Sequence, residues 1–196
     1  MTRLIAGIAG GLSLATPDSR TRPTTGRTRE ALFSRLDARL DFADLRVLDL
    51  YAGSAALGLE AISRGAEELV AVEAGRTAAS VARRNAQAVG DALAQASVRP
   101  ARITVVEQRV QSWLPGAPAE HFDLVFVDPP YEVSTGTLET LLVDLLPALS
   151  PLADIVIERS SRTPDLHWPS GYIGQPPRRY GETVLWFGES QDARVG

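Results

Sequence analysis

The chain has 196 residues, 44% apolar and 22% charged, with no cysteine, two histidines and a net charge of −4. Those numbers suit one soluble core, exclude disulfides and thiolate metal sites, and leave too few imidazoles for a zinc centre or a histidine-based triad; carboxylate-bound metals stay open, and no metal site is assigned. No apolar run approaches the roughly 18 residues that cross a bilayer, and the first residues lack a signal-peptide core, so the expected compartment is the cytoplasm.

The charge is unevenly distributed. Residues 1–35 carry six arginines against Asp18 and Glu30, a local balance of +4, which leaves −8 on the remainder. All 20 basic residues are arginine, the side chain best shaped for forked contacts with phosphate. Arg3, Arg20, Arg22, Arg27 and Arg29 are therefore candidates for a phosphate-contacting arm, against the plainer reading of a solvated basic face.

In chain order, residues 3–9 alternate loosely, Gly10 and Gly11 supply a turn, and residues 12–15 alternate again, a pattern that predicts a β-hairpin. A polar, arginine-rich loop punctuated by Pro17 and Pro23 follows. A helix then starts near residues 25–28, where hydroxyls can cap it, and runs to about Leu40, with Leu32, Phe33 and Leu36 on one face.

The body opens with a strand over residues 47–51, a turn of small residues over 52–56, and a helix over 57–63 that ends at Gly65. Backbone N–H groups at such a turn are unpaired, and small side chains allow close approach of a ligand. A second strand over residues 67–73 ends in Glu73, spaced about 20 residues from the turn, as for an acid that accepts bonds from ribose hydroxyls. Asp49, Tyr51, Ala52, Gly53, Ser54, Gly58 and Glu73 thus outline a nucleoside-type cofactor site. The dinucleotide pattern Gly-x-Gly-x-x-Gly is absent, because Ala55 stands at the middle glycine and Asp49 would sit beside a pyrophosphate.

A helix is expected over residues 76–89, then a connection or a frayed continuation of that helix over 90–100, and a third strand over 102–106. Beyond it comes Arg109, for which an arginine paired with a nearby acid is one reading.

The fourth strand, residues 124–127, ends abruptly at Asp128-Pro129-Pro130-Tyr131. Prolines lack an N–H and hold the preceding residue extended, so the loop offers one carboxylate, free carbonyls and an aromatic ring. That set suits a planar substrate bearing an amino group. A helix over 137–146, a strand over 154–159 and a hairpin formed by residues 171–180 and 182–188 complete the alternation.

Asp49-Leu50-Tyr51-Ala52-Gly53-Ser54 resembles the first motif of S-adenosylmethionine-dependent methyltransferases, and Asp128-Pro129-Pro130-Tyr131 resembles the motif of those that act on nucleobase amines. The implied fold is α/β and Rossmann-like, the class I methyltransferase architecture: a seven-stranded, mostly parallel sheet ending in an antiparallel hairpin, plus the N-terminal hairpin arm. The segment from Arg22-Pro23-Thr24-Thr25-Gly26 to Phe33, with Ile5-Ala6-Gly7 before it, is similar to the opening of the RsmD family. That bacterial family methylates guanine N2 at one position of small-subunit (16S) ribosomal RNA.

The resemblance implies S-adenosylmethionine as cofactor and 16S ribosomal RNA, in an assembled small subunit, as partner. It implies a catalytic loop of Asp128, Pro129, Pro130 and Tyr131, and Val110 among the cofactor contacts. In the methyltransferases that the chain resembles, the end of the third strand offers an acid or amide to the adenine amine; with Arg109 there, adenine recognition is left to the Val110 N–H, to Glu107 or to Gln108. It divides the chain into an arm (residues 1–26), a methyltransferase domain (27–190) and a tail (191–196). The alternatives are a DNA adenine-N6 or cytosine-N4 methyltransferase, for which the chain has no room for a large target-recognition domain, a nucleotide-dependent oxidoreductase, and a non-catalytic RNA-binding ribosome assembly factor.

Overall fold

The computed structural model describes residues 2–17 and 26–191. The N-terminal hairpin is present but short, with β1 (Thr2–Arg3) paired antiparallel to β2 (Ser13–Leu14). Between them the chain leaves the ladder because its backbone donors are taken by the body. Buried Glu60 accepts the Ile5 N–H at 2.7 Å and the Ala6 N–H at 3.0 Å, while Ser63 Oγ donates to the Ala6 carbonyl and accepts the Ala9 N–H. Gly7, at φ +80°, is needed there, since a Cβ would lie 1.9 Å from the Ser63 carbonyl oxygen.

The first helix, α1 (Gly26–Asp37), buries Thr28, Arg29, Leu32, Phe33 and Leu36, one face at helical spacing. Phe33 is fully enclosed against Phe42 and Phe126, a burial that contributes roughly 1.5–3 kcal/mol. The body then alternates: β3 (Arg46–Leu50), α2 (Ala56–Ser63), β4 (Glu68–Glu73), α3 (Arg76–Gln95), β5 (Arg102–Glu107), α4 (Val110–Trp113), β6 (Phe122–Val127), α5 (Thr135–Leu145) and β7 (Leu149–Ser160). β8 (Tyr172–Gly174), β9 (Arg178–Tyr180) and β10 (Thr183–Ser190) follow.

Across the sheet the order is β5-β4-β3-β6-β7-β10-β8, with β9 also paired to β10. β3 to β7 are parallel, and β10 runs antiparallel to β7. The chain reverses its direction of travel across the sheet between β3 and β6, the switch point at which open α/β sheets bind ligands. Leu124 and Phe126 face the arm, α1, α2 and α3, whereas Val125 and Val127 face α4 and α5, so the strand is apolar throughout.

Beyond residue 89 the chain takes the continuation and not the connection: α3 runs to Gln95, because Leu93 is buried and carries the apolar face past Gly90. Two expectations need correction. The strand expected over 154–159 begins at Leu149 and absorbs an irregularity near Leu152, at φ 61°. The outer strand expected over 171–180 is split into β8 and β9 because Pro176 and Pro177 have no N–H to give the ladder. The two pieces share one edge position beside β10, which keeps seven positions across the sheet. Among the described residues no helix is long and apolar enough to cross a membrane.

Candidate active site

Parallel strands β3, β4, β5, β6 and β7 all end at one edge, and the predicted cofactor and catalytic residues collect there. The turn after β3 is conformationally costly. Tyr51, Gly53 and Ala55 have φ of 60°, 57° and 60°, a left-handed conformation that only glycine adopts freely. It is fixed from all sides: the Ala52 N–H donates to the Val72 carbonyl, the Ala55 N–H to the Ala52 carbonyl, and the Gly53 N–H to Glu73 Oε2 at 2.8 Å. Ala55 stands where glycine is commoner in such turns, and its left-handed backbone and fully buried methyl show that the substitution is accommodated.

Asp49 lies under this turn, 2% exposed, and accepts the Gly58 N–H in the first turn of α2 at 3.0 Å. Gly58 must be glycine for packing, because a Cβ would come within 2.3 Å of Leu69 Cδ1 and 3.2 Å of Asp49 Cβ. Burial pushes the Asp49 carboxyl up to about 7; the Gly58 N–H opposes that shift and the nearby Glu73 charge adds to it. Glu73 also accepts the Gly75 N–H at 2.6 Å, so its two oxygens tie together the turns after β3 and β4.

Asp128 ends β6, and its N–H donates to the Leu50 carbonyl at 3.3 Å, which stitches its loop to the strand that carries Asp49. Burial, then the charges of Glu158 and Asp49, push the Asp128 carboxyl well above the usual range. Pro129 is buried, Pro130 is exposed, and Tyr131 is 67% exposed at the tip. The loop returns through a bond from the Val133 N–H to the Pro130 carbonyl. Arg159, 6% exposed, braces it by donating to the Val133 carbonyl at 2.8 Å.

Val110 is buried as the first residue of α4, where an N–H has no partner within the helix. Glu107 is paired with Arg83 at 3.0 Å, and the Gln108 N–H donates to the Glu73 carbonyl. Arg109 is exposed and, among the described residues, forms no ion pair, so the reading of an arginine paired with a nearby acid is not met there.

The arm residues divide. Arg3 and Arg27 are exposed, and Arg20 and Arg22 lie outside the described residues. Arg29 differs from the expected phosphate contact: it is 6% exposed, and its guanidinium donates to the Arg3 carbonyl. Burial lowers its pKa, with the charges of Glu60 and Glu30 opposing the shift. It is a latch between α1 and the arm, without the exposure that a phosphate contact requires.

Sequence reasoning missed Glu158, Gln111 and Asn85. Glu158 lies near the end of β7, so the rule that directs attention to acids at parallel strand ends could have found it. Gln111 donates to the Tyr51 hydroxyl at 2.8 Å, and Asn85 bonds the Ser54 carbonyl at 3.0 Å, contacts that no local pattern signals.

Residues 2–189 match the family described as Conserved hypothetical protein 95. A relative in Escherichia coli K12, Ribosomal RNA small subunit methyltransferase D, is 37% identical over 153 residues, covering 78% of this chain and 70% of its own. The chain belongs to the RsmD family. The Haemophilus influenzae protein of the same name is 32% identical over 164 residues, 83% of this chain and 80% of its own. A solved Escherichia coli structure superposes with a TM-score of 0.77 at 30% identity, covering 96% of this chain and 97% of that one. The α/β methyltransferase fold of the RsmD family is therefore the frame that carries the acids of this edge.

Proposed function

We propose that the protein transfers a methyl group from S-adenosylmethionine to the exocyclic N2 amine of a guanine in 16S ribosomal RNA. The observation that supports this reading is the bond between the Asp128 N–H and the Leu50 carbonyl, which joins the loop of residues 128–131 to the strand that leads into the turn at 51–55. The naming of the relatives as small-subunit ribosomal RNA methyltransferases supports the substrate class.

The residues fit the cofactor. Asp49 is a buried carboxylate whose ionisation is held back until a cation arrives, Glu73 can accept from ribose hydroxyls, and the Val110 N–H can donate to a purine ring nitrogen. When bound, S-adenosylmethionine supplies an activated methyl group carried by a positively charged sulfur.

The amine of guanine is a weak nucleophile because its lone pair is delocalised into the ring. Asp128 and the Pro129 carbonyl accept its N–H bonds, hold it in line and favour pyramidal nitrogen, so that orientation supplies much of the rate. The new bond is N–CH3, the bond broken is S–CH3, and the amine proton leaves once the nitrogen has become cationic. Because that proton becomes acidic only after methyl transfer, Asp128 need not act as a general base to drive the step. A base in folded RNA must leave its stack to reach this loop, and Tyr131 replaces stacking worth about 1–3 kcal/mol. Exposed Arg3 and Arg27, with Arg20 and Arg22 in the same basic sequence, hold phosphates, with the assembled small subunit in the cytoplasm as the substrate.

The test is to incubate the protein with radiolabelled S-adenosylmethionine and small subunits from cells lacking this enzyme, and then to digest the RNA. Label in N2-methylguanosine is the expected result. Label in N6-methyladenosine or N4-methylcytidine, or in added DNA, would overturn the assignment.

A further inference from the structure

Asn85 lies on α3, 3% exposed, and no step of the proposed reaction uses it. Its side-chain oxygen accepts the Ala15 N–H at 2.8 Å, and its amide nitrogen donates to the Ala15 carbonyl at 2.9 Å and to the Ser54 carbonyl at 3.0 Å. One buried amide, with both donor hydrogens and its acceptor in use, therefore grips the arm with one side and the cofactor turn with the other. Ala15 lies just ahead of Arg20 and Arg22 in the sequence, and Ser54 lies inside the turn whose left-handed residues persist only while their surroundings hold them. On the far side of that turn, the Gly53 N–H is held by Glu73. Glu73, the Gly53–Ser54 peptides, Asn85 and Ala15 thus form one continuous polar chain from the cofactor site to the base of the arm.

We propose that Asn85 is a positioning residue that couples cofactor binding to the seating of the N-terminal arm. The inference rests on the reading of residues 49–73 as the cofactor site. When the turn is held by a nucleoside at Glu73, the Ser54 carbonyl is fixed as the acceptor for Asn85, and the amide then holds Ala15 in place. The relation is reciprocal, so an arm engaged with RNA fixes the turn and tightens cofactor binding by the same factor. Glu60 and Ser63 anchor the arm at a separate place, on the far end of α2, and take no part in this chain.

The test is residue-resolved hydrogen exchange on the full chain with and without saturating S-adenosylhomocysteine, followed by binding of that ligand in the presence and absence of unmethylated small subunits. In the wild type the ligand slows exchange at the Ala15 N–H about tenfold more than at the Ile5 and Ala6 N–H groups, because general stabilisation would move all three alike. Small subunits raise ligand affinity by about fivefold or more, within the usual range of coupling between sites. In Asn85→Ala the selective protection at Ala15 disappears and the affinity gain falls below about twofold. Ligand binding without selective protection of Ala15 in the wild type overturns the coupling while leaving the proposed function intact, and needs no variant to fold. Equal gains in wild type and Asn85→Ala overturn it too. Absence of ligand binding removes the functional reading itself and the inference with it.

Discussion

Replacing Asp49 with Asn tests the electrostatics on which the cofactor site rests. In the folded protein without cofactor the carboxyl titrates at about 7, against 3.8 for the unperturbed group. Because the folded value is raised, the associated stability is fully present below pH 4 and is lost as pH rises toward and through 7. The shift in proton affinity costs about 4 kcal/mol at pH 8, where the buried group is ionised, and about 2 kcal/mol at pH 5, where folding requires it to take up a proton. Asparagine keeps an oxygen for the Gly58 N–H and has no charge to desolvate, but it buries a new amide donor, a pH-independent cost of about 1–3 kcal/mol. The diagnostic quantity is therefore a difference. Urea unfolding of cofactor-free protein should show Asp49→Asn gaining about 2–3 kcal/mol on the wild type between pH 5 and pH 8. In the same preparation the affinity for S-adenosylmethionine should fall at least tenfold, since the partner of its positive charge is gone. A stability difference that does not change between pH 5 and pH 8 would mean that Asp49 is already ionised in the fold, and the argument for a cation-completed site would fail.

Four further outcomes follow from the same geometry. Wild-type affinity for S-adenosylmethionine should be about tenfold higher at pH 8 than at pH 6 by isothermal titration, as Asp49 ionises around pH 7. Asp128→Ala should lower turnover by about a hundredfold or more while the cofactor dissociation constant moves by less than about threefold. Tyr131→Ala should raise the KM for RNA about tenfold, whereas Tyr131→Phe, which keeps the ring, should leave it within about twofold. Gly7→Ala meets both the left-handed φ and the Ser63 carbonyl, so thermal unfolding should show a loss of about 2 kcal/mol or more, with faster exchange of the Ile5 and Ala6 N–H groups.

The sheet and its acid-tipped edge were legible because they depend on short-range patterns. The doubly buried runs around Leu48, Val125 and Phe126 mark interior parallel strands, and each ends at a residue whose position is set by strand length and by the small or proline residues that follow. Strand length and turn chemistry alone therefore place Asp49, Glu73 and Asp128 at one edge. The break between β8 and β9 was also readable, from Pro176 and Pro177, had the missing N–H groups been weighed against an unbroken strand.

The fates of the arginines and amides were hidden because burial, and not residue type, decides them. Arg29 has the same sequence signature as Arg27, a basic residue near a helix start, yet one turns inward to the Arg3 carbonyl and the other stays exposed. What separates them is the apolar face of α1: residue 29 falls beside the Leu32, Phe33 and Leu36 face, so its guanidinium is carried into the body and must find an acceptor there. The same reasoning applies to Asn85, whose neighbours Val81, Ala82 and Val89 mark the buried face of α3. A polar residue on a buried helical face must be satisfied by something distant in sequence, and here its partners are Ala15 and Ser54, 70 and 31 residues away. A buried polar side chain on an otherwise apolar face thus marks where separate segments are tied together, and in this chain the tie joins the basic arm to the turn after β3.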